Sequence, residues 1–148
     1  TFTDVTAASG TAAAGWSTSA AWLDLDADGL LDLVVLRYLA WDFDDVWCGE
    51  HREGYRAYCH PDIFAAVPPL VYHNDGKGHF TEISEKAGIS VPGKGLGIAI
   101  ADYDHDGHPD IFVANDSMLE HLYHNKGKGT FEEVGWPRKL AAVGVAGT

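Results

Sequence analysis

Two nine-residue windows of the chain carry acids at positions 1, 3, 5 and 9 and a glycine at position 6. They are Asp24-Leu25-Asp26-Ala27-Asp28-Gly29-Leu30-Leu31-Asp32 and Asp102-Tyr103-Asp104-His105-Asp106-Gly107-His108-Pro109-Asp110. Alternate carboxylates on a tightly turning loop converge on one centre, and glycine permits the bend at position 6. Hard oxygen donors in that number suit Ca²⁺, which takes about six to eight of them at about 2.3 to 2.6 Å, better than Mg²⁺, which keeps its waters. The predicted ligands are Asp24, Asp26, Asp28, Asp32 and the carbonyl of Leu30 at the first site. At the second they are Asp102, Asp104, Asp106, Asp110 and the carbonyl of His108. An EF-hand shares the opening of this pattern but needs an acid at position 12 and helices on both sides. Position 12 is Val35 in one loop and Val113 in the other, and both flanks read as strand. The bland alternative is two solvated acidic turns without an ion, against which the same spacing in two matched repeats weighs.

The elements that would hold these loops are written twice. An offset of 78 residues, without a gap, brings Phe2-Thr3-Asp4-Val5 onto Phe80-Thr81-Glu82-Ile83, Gly10 onto Gly88 and Gly15 onto Gly93. The same offset superimposes the two acidic windows and carries Leu33-Val34-Val35 onto Ile111-Phe112-Val113. Then the register breaks: 40 residues separate Asp32 from Tyr72, where 13 separate Asp110 from Tyr123. The first copy therefore carries an insertion, placed at about residues 39–69, after which Tyr72-His73-Asn74-Asp75-Gly76-Lys77-Gly78-His79-Phe80 matches Tyr123-His124-Asn125-Lys126-Gly127-Lys128-Gly129-Thr130-Phe131. Repeat one is expected over about 11–84 and repeat two over about 89–134, with partial repeats at both ends. Segments such as Gly97-Ile98-Ala99-Ile100-Ala101 and Ile111-Phe112-Val113 are short, apolar and bounded by turn signals, which predicts strands. Each unit then has about four short antiparallel strands, the size and make-up of a propeller blade. The predicted class is all-β, about two blades of a partial propeller; a β-sandwich of similar strand content is the competing fold.

Composition bounds the rest. The formal charge is -12, with ten basic residues scattered through the chain, so the Lys/Arg stripe that displaces phosphate counterions is missing and nucleic acid is set aside. Eight of the 22 acidic residues fall in the two windows, a crowding that repels itself unless a cation offsets it. No apolar run approaches the roughly 20 residues of a membrane-spanning helix. The sequence opens at Thr1 without a leader, and is read as a processed mature chain or a piece of a longer one.

With the acidic loop between strands, followed by Tyr-x-Asn-x-Gly-x-Gly-x-Phe, the chain resembles the FG-GAP/VCBS repeat family over residues 2–134. Relatives of that family include the integrin α-subunit propeller and bacterial exported proteins with an ASPIC/UnbV segment. The resemblance implies a calcium-stabilised β-propeller, usually of seven blades, in an exported or cell-surface protein, and it carries the family's metal ligands onto the ten positions named above. Two departures stand out. Gly95-Leu96-Gly97 occupies the place of the Phe-Gly and Gly-Ala-Pro signature, and His73 and His124 follow the tyrosine where the family often has a basic residue.

The insertion holds Trp41, Trp47, Cys48, His51, Tyr55, Tyr58, Cys59 and His60. It is too aromatic to be left in water as a flexible linker, so it is expected to be a folded excursion with its rings turned inward. Cys48 and Cys59 pair as a disulfide in an oxidising compartment, ligate zinc with His51 and His60, or remain free thiols. No nucleophile elbow, phosphate loop, His-Glu-x-x-His or haem-attachment motif occurs. His73 and His124, equivalent by repeat, are expected to be structural at a strand end, and His105 and His108 to be ordinary loop residues. The leading functional expectation is a non-enzymatic, calcium-binding propeller segment used in binding, adhesion or assembly, located outside the cell, on its surface or in the periplasm. Its partners would be another protein, further blades of the same parent chain, or a second copy through self-association. The alternatives are part of a propeller enzyme, a hydrolase or lyase whose site lies elsewhere, and a structural subunit of a surface assembly. Because residues 1–5 read as the tail of one blade and residues 144–148 stop before a third loop, two blades alone are expected to need neighbours.

Overall fold

The computed structural model describes residues 1–44, 46–49 and 52–135. The expectations for His51 and for residues 144–148 lie outside the described residues. Among the described residues, eight strands form two four-stranded antiparallel meanders. The first contains β1 (Ser17–Leu23), β2 (Asp32–Arg37), β3 (Leu70–Asn74) and β4 (Phe80–Glu82). The second contains β5 (Gly95–Ala101), β6 (Asp110–Asn115), β7 (His121–Asn125) and β8 (Phe131–Glu133). Two four-residue helical turns, α1 (Thr6–Ser9) and α2 (Ser84–Ala87), sit at positions equivalent under the 78-residue offset, each closed by a left-handed glycine.

Pairing registers repeat between the sheets. Leu23 faces Asp32 in the first and Ala101 faces Asp110 in the second, so each acidic window is the connection of an inner hairpin and ends on the first residue of its return strand. Tyr72 faces Leu33 and Glu82 in the first sheet as Tyr123 faces Ile111 and Glu133 in the second. The β-branched and aromatic content of these runs suits a pleated surface buried on one side.

How the sheets stack separates a propeller from a sandwich. The first sheet presents Leu23, Val34, Leu36 and Val71 to the core, all at most 4% exposed. The second answers with Ile111, Val113, Tyr123 and Phe131. Ile111 and Val113 correspond by repeat to Leu33 and Val35, which lie on the opposite, half-buried face of the first sheet. One face of the first blade therefore packs on the other face of the second, a head-to-tail stacking of like units, where a two-fold sandwich would put equivalent faces together. Innermost strands lie side by side: the Thr18 hydroxyl donates to Gly95 O (2.6 Å) and the Ser19 hydroxyl to Leu96 O (2.7 Å). Gly95 lets the two blades approach closely, because a β-carbon there would stand 3.1 Å from the Leu36 side chain. Strand β5 also begins two residues before the expected Gly97, with a register shift between Gly95 and Gly97.

The insertion leaves the first sheet after β2. Cys48 and Cys59 are joined as a disulfide with Cα atoms 5.2 Å apart, so neither sulfur is left for zinc or as a free thiol. Its rings were expected to fold away from water. Instead Phe43 (93%) and Tyr58 (104%) are fully exposed, and Trp41 and Tyr55 nearly half exposed. The base is better tied: Val67 and Gly93 exchange two backbone hydrogen bonds of 3.0 Å each.

Candidate metal centres

Both acidic loops follow the same backbone path. Gly29 and Gly107 at position 6 have φ of 87° and 90°, the left-handed region that glycine enters without steric cost. Ala27 and His105 at position 4 also lie at φ 63°, where a side chain costs energy.

Hydrogen bonding fixes the first, fifth and ninth positions. Asp24 accepts from the N–H groups of Asp28 (3.0 Å) and Gly29 (2.9 Å), and Asp102 from those of Asp106 (3.1 Å) and Gly107 (3.0 Å). Asp28 and Asp106 each accept from the position-7 N–H, of Leu30 and of His108, at 2.8 Å. Asp32 and Asp110, at most 1% exposed, are the keystones. Asp32 accepts from Leu25 N (3.0 Å) and Asn74 N (2.8 Å); Asp110 accepts from Tyr103 N (3.1 Å) and Asn125 N (2.8 Å). Each carboxylate thus stitches its own loop to the Tyr-His-Asn strand, which is why that strand motif and the loop occur together. Side chains at position 7 reinforce the join: Leu30 lies over Gly76 and the His108 ring over Gly127, each in the turn that follows the strand.

Asp26 and Asp104 differ from these. Neither is used to cap a backbone N–H among the bonds described, and Asp26 Oδ1 is shielded from solvent yet takes no hydrogen bond from the protein. Ligand atoms of Asp24, Asp26 and Asp32 lie within 4.8 Å of one another, as do those of Asp102, Asp104 and Asp106. Such clusters can hold a metal ion.

Spacing did not assign His73 and His124 to this site, and the structure brings them into it. The Nδ1 of His73 is 3.0 Å from Asp32 Oδ1 and 3.9 Å from Asp26 Oδ2. The Nδ1 of His124 is 3.2 Å from Asp110 Oδ1 and 3.5 Å from Asp104 Oδ2. Their equivalence by repeat, directly after a tyrosine facing the loop's return strand, was the available signal. His105 at position 4 is exposed.

A second polar cluster lies where the insertion meets the second blade. The Tyr38 hydroxyl donates to Asp116 in a short hydrogen bond that pushes its pKa up to about 12 and holds the Asp116 carboxyl below the usual range. Buried Lys94 donates to Pro61 O (2.9 Å) and to Asp62 Oδ1 (3.2 Å). Tyr38 and Pro61 also line an open cleft of about 860 Å³, walled further by Trp16, Trp41, Phe43 and Tyr58. In the second blade, burial lowers the pKa of His121, whose ring stands 3.4 Å from the Tyr123 hydroxyl.

Head-to-tail four-stranded blades with acidic inner-hairpin loops define a propeller-type repeat protein. FG-GAP-like repeats match residues 59–113 and 102–146, more than half of the sequence, and the chain belongs to that family. It is also similar to cartilage acidic protein 1 of mouse and of human, 33% identical over 75 residues in each case. That stretch is 48% of this chain and only 12% of the mouse protein and 11% of the human one. FG-GAP-like repeats are a non-catalytic repeat type. Among the described residues no helix is long and apolar enough to cross a membrane.

Proposed function

We propose that the chain is a calcium-binding blade pair of an exported or cell-surface protein, acting in binding, adhesion or assembly. The observation that carries the calcium reading is the recurrence of one loop geometry in both blades, with three carboxylates gathered in each and a shielded, unpartnered oxygen on Asp26. Asp24, Asp26, Asp28, Asp32 and the Leu30 carbonyl would hold one ion; Asp102, Asp104, Asp106, Asp110 and the His108 carbonyl would hold the other. Calcium there neutralises acids that otherwise repel, and it ties the inner hairpin to the strand anchored by Asp32 or Asp110. The family and the disulfide support a place outside the reducing cytosol.

An assembly role is supported by the first blade's unused face. Trp22 is 54% exposed there, beside half-buried Leu33 and Val35, whose equivalents Ile111 and Val113 are buried between the blades. Such a face invites a further blade, from the parent chain or from a partner. Light scattering on the purified, calcium-loaded chain tests this: association is expected. A monomer with a cooperative melt would count against the propeller reading and favour a self-contained pair of sheets.

A further inference from the structure

Calcium has little use for an imidazole, yet each acidic loop has one at its edge, delivered by a different strand. His73 comes from β3 and His124 from β7, and the arrangement arises twice. Ligand atoms of Asp26, Asp28 and His73 lie within 4.8 Å of one another, and so do those of Asp104, Asp110 and His124, the ring joining loop positions 3 and 5 in the first blade and 3 and 9 in the second. Side-chain exposures of 35% for His73 and 24% for His124 leave both rings within reach of an incoming ion. Two carboxylates and one imidazole, with a water in the fourth position, are a donor set that zinc accepts, and imidazole suits first-row transition metals as carboxylate oxygen suits calcium.

We propose that His73 and His124 make each loop a mixed nitrogen and oxygen site that takes a zinc-class divalent ion in competition with calcium. The inference rests on the loops being cation sites, as proposed above. Its rival is a purely positioning role, in which the ring only donates Nδ1–H to Asp32 or Asp110 and orients the carboxylate. Loss of a positioning ring would weaken every metal alike, whereas loss of a ligand weakens the metal that uses it.

The test is calorimetric titration of metal-free chain with Zn²⁺ and, separately, with Ca²⁺, for the unaltered protein, His73→Ala and His124→Ala. Each substitution is expected to weaken Zn²⁺ at one site by about tenfold or more while calcium affinity changes by less than about threefold. Zinc should also shift the ring nitrogen resonances of His73 and His124 and leave those of buried His121 in place. Equal weakening of both metals, unchanged zinc affinity in the variants, or unshifted His73 and His124 resonances would overturn the proposal. If the unaltered chain fails to bind calcium, the calcium reading falls, and the zinc titrations still decide this one by their dependence on the two rings.

Discussion

Removing the carboxylate at position 9 of a loop should damage the fold before any metal is considered, and removing the one at position 3 should not. Asp110 is buried and accepts from Tyr103 N and Asn125 N, with His124 Nδ1 3.2 Å away. Asp110→Ala strands these donors around a carboxylate that is itself 1% exposed. A hydrogen bond to a charged group contributes about 1.5–3 kcal/mol and an unsatisfied buried donor costs about 1–3 kcal/mol, so a non-additive loss of about 3–5 kcal/mol is expected in EDTA. That is a large part of the roughly 5–15 kcal/mol that holds a domain together. Asp104 is exposed and caps no backbone group among the bonds described, so Asp104→Ala should cost less than about 0.5 kcal/mol in EDTA and act only when calcium is present. Urea denaturation of both variants, with and without calcium, reads the two effects separately, and Asp110→Asn, which keeps one acceptor oxygen, serves if the alanine variant does not fold. Equal losses for Asp110→Ala and Asp104→Ala in EDTA would refute the division of labour drawn here.

Three further outcomes are expected. Asp26→Ala and Asp104→Ala should each weaken one of two calcium sites in titration calorimetry and leave the other nearly intact, because the loops belong to different hairpins; loss of both sites from either change would mean one shared cluster. Tyr38→Phe should cost about 1 kcal/mol at neutral pH, less than a buried charged hydrogen bond because the pair is partly solvated. The Tyr38 pKa is raised from 10.0 to about 12, so this stabilisation is present below pH 10 and lost as the pH rises through about 12; urea melts of the two proteins should converge there. Ala27→Gly should stabilise the metal-free chain by about 1 kcal/mol, since position 4 sits at φ 63°, and a destabilised variant would show that this backbone is not strained.

Periodic spacing made the acidic loops and their hairpins legible, because a doubled pattern of Asp and Gly encodes both the bend and the carboxylates that brace it. The blade-like strands were legible for the same reason: turn residues recur at matched offsets around short apolar runs. Head-to-tail packing was not, since alternation along β2 and β6 marks two faces without saying which face meets which. His73 and His124 were seen as a repeated pair but not placed in the site, as nothing in their spacing reports the strand pairing that sets their rings beside Asp32 and Asp110. The Tyr38–Asp116 clamp joins residues on separate blades and has no local signature. The aromatic insertion misled in the other direction: ring content predicts burial only where the chain has a core to enter, and a disulfide loop projecting from β2 has none.

Calcium binding at the two loops carries the whole account, and differential scanning calorimetry of the chain in millimolar calcium and in excess EDTA tests it most directly. A ligand at a hundred times its Kd stabilises by about 2.7 kcal/mol per site, so two sites give about 5 kcal/mol. For a chain of this length, 1 kcal/mol shifts the melting temperature by about 2–4 °C, and a rise of about 10 °C or more is expected with calcium. An unchanged melting temperature would contradict the account.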